Sequence, residues 1–509
     1  MAQQVLQNSG VVGHNVIERS FPQINASSTT VLPISESSRT APAVGVTPGL
    51  KQAYRIPVHN ILRGTGTKRK LVHPAQLTLL GFLIGIAAGT TLLALPMSRT
   101  GPGAASPVEA FFTAVSAMCV TGHIIVDTPT YWTGFGQVVI LVLIQVGGFG
   151  VMTFASIIGI AVVRRLSLRS RITAAAETKN VGFGDVRSLI LGVLKISLVI
   201  EGGGALILFL WFVFHYGKGV GEAAWLAVFH AVSSFNNAGF ALFSDNMMSF
   251  VDDPVVSLTL CAEIILGGLG FPVIVQLLRY RTKRLKWSMN TRIVVAATPL
   301  LLIAGAVYIT LIEWNNPATL GPLDWQTKIL AGFFQSVQTR TAGFNSIDIG
   351  AMSEATQFGM TALMFIGGGP AGTAGGIKIT TFAVLFFILV AEVRGDGVVN
   401  VFGKRLSRAV HRQAIAVVLL SVGVVAASTV TIMLISGLPL SPVLFETVSA
   451  FGTVGLSEGI TPELPIAAQL ILAVLMFVGR LGPIGFATAL ALRERAVMYE
   501  LPKERPIIG

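Results

Sequence analysis

Four times in this chain a short apolar run ends in a turn of small residues closed by glycine, and helical patterning then resumes. The turns are Met118-Cys119-Val120-Thr121-Gly122-His123, Phe235-Asn236-Asn237-Ala238-Gly239-Phe240, Thr339-Arg340-Thr341-Ala342-Gly343-Phe344 and Ala450-Phe451-Gly452-Thr453-Val454-Gly455-Leu456. Their glycines, at 122, 239, 343 and 455, are spaced by 117, 104 and 112 residues. A period of about a hundred residues is too long for a solenoid unit and marks a repeated module instead. One such turn says little, because glycine commonly packs helices in membranes. Four at matching positions demand a fold with four equivalent places for them.

The 509 residues are 52% hydrophobic and only 12% charged, with a mean hydropathy of +0.73, whereas soluble domains are about a quarter charged. This excludes an ordinary soluble protein and implies an integral membrane one. Cys119 and Cys261 lie in apolar segments at no metal-ligand spacing, so neither a disulfide framework nor a zinc site is expected. The net charge of +12 does not point to nucleic acid, because the basic residues collect in short joins between apolar spans, where they orient a membrane protein. No carboxylate pair, activated nucleophile or metal cluster stands out, so neither an enzyme nor a cofactor in this chain is expected. The first twenty residues lack an apolar core behind a basic head, so no cleaved signal peptide is expected.

Residues 1–73, rich in Ser, Thr, Pro and Gln and ending in a basic run at Lys68-Arg69-Lys70, read as a largely disordered cytosolic arm, equally suited to anionic lipid. Four modules are expected at 74–163, 187–279, 291–394 and 408–492, then a cytosolic tail at 493–509. Each holds two spanning helices, near 76–97 and 134–162, 187–216 and 255–278, 292–313 and 355–393, and 409–436 and 464–491. Between them lie the shorter segments Pro107–Met118, Ala223–Phe235, Trp325–Val337 and Pro442–Phe451. Twenty apolar residues cross a bilayer core of roughly 30 Å, while 10 to 14 read as re-entrant helices, whose irregular ends must line a watery path or be buried in protein. The expected fold class is an all-α polytopic membrane protein, with eight transmembrane helices and four re-entrant pore helices around one pore.

The joins after the second helices carry Arg164, Arg165, Arg169, Arg279, Arg281, Lys283, Arg284, Arg394, Lys404, Arg405 and Arg408. The loops on the glycine side carry Asp127, Asp245, Asp252, Asp253, Asp348, Glu458 and Glu463. Positive-inside bias puts both termini in the cytosol and the turns toward the outside. The external carboxylates would concentrate cations at that mouth, or are simply solvated.

An alkali cation leaving water needs several oxygens at once, and backbone carbonyls turned inward by four loops supply them without a fixed charge. The candidate ion-binding residues are Val120, Thr121 and Gly122; Asn237, Ala238 and Gly239; Thr341, Ala342 and Gly343; and Thr453, Val454 and Gly455. Further on, the second helices align at Gly148, Gly268, Gly368 and Arg480, which lie 26, 29, 25 and 25 residues beyond their glycines and are expected to meet below the turns. An arginine inside a membrane helix costs roughly 2.5 to 3.5 kcal/mol. Arg480 is read as an electrostatic barrier in the pore, with snorkelling or a pair with Glu263 or Glu392 as the other readings. The third second-helix holds Gly367-Gly368-Gly369-Pro370-Ala371-Gly372-Thr373-Ala374-Gly375-Gly376-Ile377-Lys378, which no continuous helix should carry. Gly368, Gly369, Pro370, Gly372, Gly375, Gly376 and Lys378, with Arg480, are the candidate gate, Lys378 lying near the cytosolic side; a packing kink is the alternative.

These turns, the Gly-rich break and Arg480 resemble the Trk/Ktr/HKT superfamily of potassium transporters over roughly residues 74–495, and within it the membrane subunit of bacterial Ktr systems. The resemblance implies four pseudo-symmetric modules around one pore, K+ selectivity from four filter glycines, and gating by the third module's loop together with the arginine. It also implies a bacterial plasma-membrane protein that forms a homodimer on a cytosolic ring of nucleotide-binding regulatory subunits, often with stimulation by Na+. His123 stands where that family usually has an aliphatic residue. The alternatives are an ion-coupled secondary carrier, since carriers also break helices at the midplane, and a Na+-permeable cation transporter.

Overall fold

The structure, a computed structural model, describes residues 74–165 and 186–482. The N-terminal arm, the join at 166–185 and the segment after 482, with the end of the fourth expected module and the tail, lie outside the described residues. The helices are α1 (Pro74–Leu93), α2 (Pro107–Met118), α3 (Gly134–Arg165), α4 (Val186–Phe214), α5 (Val220–Phe235), α6 (Pro254–Leu269), α7 (Phe271–Arg279), α8 (Met289–Glu313), α9 (Trp325–Gln338), α10 (Glu354–Phe365), α11 (Ile379–Val393), α12 (Arg408–Ser436), α13 (Leu440–Gly452) and α14 (Ile466–Leu481). The regular strands among the described residues are a tiny hairpin, Asn400–Val401 against Lys404–Arg405. Its two turn residues, Phe402 and Gly403, both have positive φ, the backbone that a two-residue hairpin turn requires.

By length and composition, three helical stretches among the described residues can cross a membrane: Ile190–Phe214, Met289–Glu313 and Arg408–Ser436. α6 and α7 make a fourth if they count as one span bent by 97°. The continuous span expected near 255–278 is therefore a broken one. Gly270 at φ 92 and Pro272, which cannot continue a helix hydrogen-bond ladder, account for the break.

Polar and apolar residues are arranged inside out. The outer helices expose Leu80, Leu83 and Ile84; Leu198, Val199 and Leu206; Leu300, Ile303, Val307 and Leu311; and Leu419 and Leu434. The interior holds Ser116, Ser233, Ser234, Asn236, Gln335, Ser336, Gln338, Thr447 and Ser449, beside fully buried Phe112, Phe229, Phe334, Phe445 and Phe451. Lipid tails are as apolar as these side chains, so close packing rather than removal from water holds such helices together. Small residues serve that packing: a β-carbon at Gly85 would meet the Met118 methyl at 2.8 Å, bringing α1 close against α2.

Candidate functional site

Four short helices, α2, α5, α9 and α13, run inward and end at the four glycine turns. Two start on side-chain caps: Ser106 and Glu109 form a reciprocal capping box on α2, and Asp324 accepts from Gln326 and Thr327 amides on α9. Each points its carbonyl end, which carries partial negative charge, at the centre. There the backbone repeats itself. Val120, Asn237, Thr341 and Thr453 all have positive φ, and so does the glycine two residues on in every turn. Three of those four non-glycine residues are β-branched, for which this conformation is a real outlier, costing about 1–3 kcal/mol each.

The glycines close a ring. A β-carbon at Gly239 would lie 2.5 Å from the Ala342 carbonyl oxygen of the third turn. One at Gly122 would strike the Ala238 carbonyl, one at Gly343 the Val454 carbonyl, and one at Gly455 the Thr121 carbonyl, returning to the first turn. Each turn thus leans its glycine Cα against the carbonyl before the next turn's glycine. Outside the ring lies a cavity of about 230 Å³, lined by the four glycines with Asp127, Asn246, Asn345 and Ser457. Glu458 stands near this rim, where burial, with the Glu354 charge adding, pushes its pKa up to about 7.

On the other face the four modules differ. In α3, α6 and α14 a glycine crosses the end of a short helix so closely that a β-carbon at Gly147, Gly267 or Gly479 would strike the carbonyl of Met118, Phe235 or Phe451. The third module instead inserts residues 366–378 between α10 and α11, closed at its neck by a parallel bridge of Ile366 and Ile377. This loop is stitched to the break at Gly270: Gly369 N donates to Gly268 O at 2.7 Å, Thr373 N to Gly267 O at 3.2 Å, and Phe271 N to Ala371 O at 3.1 Å. A β-carbon at Gly375 would strike the Thr453 hydroxyl of the fourth turn.

Thr373 is the node beneath the ring. Its hydroxyl is hydrogen-bonded to the Asn237 side-chain amide at 2.9 Å, and its carbonyl accepts from Arg480 Nη1. Arg480 Nη2 donates to Gly147 O at 3.2 Å, and the side chain is buried. Arg480 therefore bridges the fourth module to the third module's loop and to α3, and its recorded partners are carbonyls rather than Glu263 or Glu392. A second buried arginine, Arg340, donates to Gly367 O at 3.0 Å from the third turn.

Residues 83–498 match the family described as TrkH, cation transport protein. The chain belongs to that family. It is 40% identical to Ktr system potassium uptake protein B of Bacillus subtilis over 83% of this chain and 94% of the relative. It is 38% identical to the protein of the same name from Vibrio alginolyticus, over 90% of this chain and all of the relative. The fold matches the crystal structure of the potassium transporter TrkH from Vibrio parahaemolyticus with a TM-score of 0.66 at 16% identity, covering 84% of this chain and 86% of that one. A TrkH-family chain is a multi-pass membrane transporter, not an enzyme.

Within this TrkH-family structure the expected site residues fall into two groups. The twelve turn residues come together around the ring, and the loop residues come together with Arg480. The four aligned positions do not all meet in one place: Gly368 packs on the Gly268 carbonyl, Gly148 faces Asn236, and Arg480 reaches Gly147, one residue short of Gly148. Lys378 folds back on the loop, donating to Ala374 O at 2.5 Å and Gly375 O at 3.3 Å. Sequence reasoning missed Thr373, the break at Gly270 and the buried support of the second turn, where Asn236 Nδ2 donates to Gln145 at 3.0 Å and Glu201 at 3.1 Å. The run Gly267-Gly268-Leu269-Gly270-Phe271-Pro272 was a usable sign of the break. A carboxylate inside a spanning segment, as at Glu201, is itself a sign of function.

Proposed function

We propose that this chain takes up K+ across the plasma membrane through a filter of four loops, as the membrane subunit of a Ktr-type system. The observation that carries the reading is the closed ring of glycines, each leaning on a carbonyl of a neighbouring turn, because carbonyls that four turns present to one axis would replace the hydration shell of an alkali cation. The filter comprises Val120, Thr121, Gly122, Asn237, Ala238, Gly239, Thr341, Ala342, Gly343, Thr453, Val454 and Gly455. Four modules with eight spans surround it, the broken α6–α7 pair and the divided α10 and α11 each counting as one. The gate is the 366–378 loop held by Arg480, which donates to the Thr373 carbonyl and whose charge would oppose a cation leaving the filter. Basic joins such as Arg279–Arg284 put both termini in the cytosol of a bacterium. A homodimer on a cytosolic nucleotide-binding ring, with stimulation by Na+, completes the proposed system, of which the relatives' names support the Ktr-type potassium uptake alone.

The test is uptake of Rb+ and Na+ into a potassium-uptake-deficient bacterial strain carrying this chain alone, then with a cytosolic nucleotide-binding partner. Rb+ uptake that rises with the partner and outruns Na+ is the expected result. Verified insertion with no alkali-cation flux in either case sinks the reading in favour of an ion-coupled carrier, while equal Rb+ and Na+ flux favours a Na+-permeable transporter.

A further inference from the structure

Just outside the ring, neighbouring modules touch at joints built from equivalent positions. Nine residues before the four glycines stand Thr113, His230, Phe334 and Glu446, and directly after them stand His123, Phe240, Phe344 and Leu456. At the joint of the second and third modules, Phe344 lies beside His230, ring centroids 6.5 Å apart. His230 is held neutral: its Nδ1 faces Leu226 O at 2.7 Å, and its Nε2 accepts from the Leu242 amide at 3.2 Å. A ring nitrogen that accepts an amide proton carries none of its own. The joint of the fourth and first modules uses the same two positions for a polar contact. His123 Nε2 lies 3.1 Å from Glu446 Oε2, and both side chains are buried.

Glu446 is occupied on every side. Its Oε1 accepts from the Ser457 hydroxyl at 2.5 Å and the Glu458 amide at 3.0 Å, and its Oε2 accepts from the Thr461 hydroxyl at 2.8 Å. These three bonds anchor the segment that leaves the fourth glycine. The contact to His123 carries that anchor across to the first turn, directly behind the place where Gly455 leans on the Thr121 carbonyl. This joint therefore brings two buried polar groups together where the joint of modules two and three packs two aromatic rings.

We infer that His123 and Glu446 are a positioning pair that sets the spacing of the first and fourth turns, and hence the discrimination between K+ and Na+. The inference rests on the filter reading above. Neither side chain need touch the ion. They act through the Gly122 and Gly455 backbones, which the ring holds in direct contact.

The test compares Rb+ and Na+ uptake in proteoliposomes carrying the full chain, His123→Leu, Glu446→Gln and the double variant, each with the thermal midpoint of the purified protein. Each single change is expected to lower the Rb+-to-Na+ ratio about three- to tenfold, the coupling expected of two residues in direct contact. The KM for Rb+ should rise while maximal flux stays within about twofold, and the double variant should lose no more than the worse single, as coupled residues do. His123→Leu alone keeps the proposal testable if Glu446→Gln does not fold. An unchanged ratio in folded His123→Leu, or losses that multiply in the double variant, overturns the pair while leaving the filter in place. Absence of alkali-cation uptake by the parent chain overturns the filter reading itself.

Discussion

The two faces of the glycine ring obey different rules. On the outer face the same backbone is drawn four times, down to the positive φ of Val120, Asn237, Thr341 and Thr453. On the inner face three modules share a glycine crossing at Gly147, Gly267 and Gly479 and then diverge: α3 is continuous, α6 and α7 are bent apart, α10 and α11 are separated by a loop, and α14 carries an arginine. An ion held by carbonyls alone must find the same distance on every side, which favours four equal turns. A gate must have one part that moves and others that stay, which favours inequality. On the function proposed above, the repeated module would supply the first and its divergence the second.

The strongest way to break this comparison is to place a side chain in the ring. Gly455→Ala adds a β-carbon against the Thr121 carbonyl at a φ of 92. Strain of about 1–3 kcal/mol with overpacking of about 1–3 kcal/mol predicts a fall in Rb+ uptake of roughly 30-fold to more than 10,000-fold. Gly122→Ala, Gly239→Ala and Gly343→Ala should behave alike, and a ring in which only one of the four matters is not a ring of equals.

Below the ring the effects should have the opposite sign. Arg480→Ala removes the bonds to Thr373 and Gly147 and should raise Rb+ flux about tenfold with the Rb+-to-Na+ ratio unchanged, measured at equal expression. Unaltered flux would remove the arginine from the gate. Thr373→Val removes only the hydroxyl that meets Asn237. At about 0.5–1.5 kcal/mol for one hydrogen bond, flux should rise roughly two- to tenfold, and a decrease would mean that this contact supports the filter instead of restraining the loop.

The smallest effect belongs to the mouth. Because the Glu458 pKa is raised to about 7, the side chain is neutral below that pH and becomes a carboxylate above it. Its attraction for cations is therefore present at pH 8 and lost at pH 6, and the KM for Rb+ should rise as pH falls, by less than about twofold for one partly screened charge. Glu458→Gln should flatten that step in an external pH titration, and an identical profile in both proteins would assign the step elsewhere.

Local chemistry made part of this legible in advance. Small-residue turns at a hundred-residue period, Gly367 to Gly376 inside an apolar span and a lone Arg480 are all visible as composition along the chain. What joins them is not. His123 and Glu446 are 323 residues apart, Arg480 and Gly147 are 333, and no periodicity connects such positions. The hairpin at 400–405 was obscured because a two-residue strand has no pattern to detect. The break at Gly270 was marked only by its glycines and Pro272, because hydropathy stays high through Phe271 and Val273 and does not register a bend.

The stitching of the 366–378 loop to the Gly270 break sets a timetable. Three backbone bonds tie the loop to residues 267–271, each contributing about 0.5–1.5 kcal/mol. Together they bias the loop toward its held position by about 1.5–4.5 kcal/mol, roughly a ten- to thousandfold ratio. With these three bonds alone the loop would spend from about a thousandth to a tenth of its time released, and the bonds from Arg480, Arg340 and Asn237 hold it further. On the gate reading proposed above, a coupling energy of about 1–3 kcal/mol from a partner would shift this loop about five- to 150-fold toward its released position, and incomplete restraint at rest would show as a small standing leak.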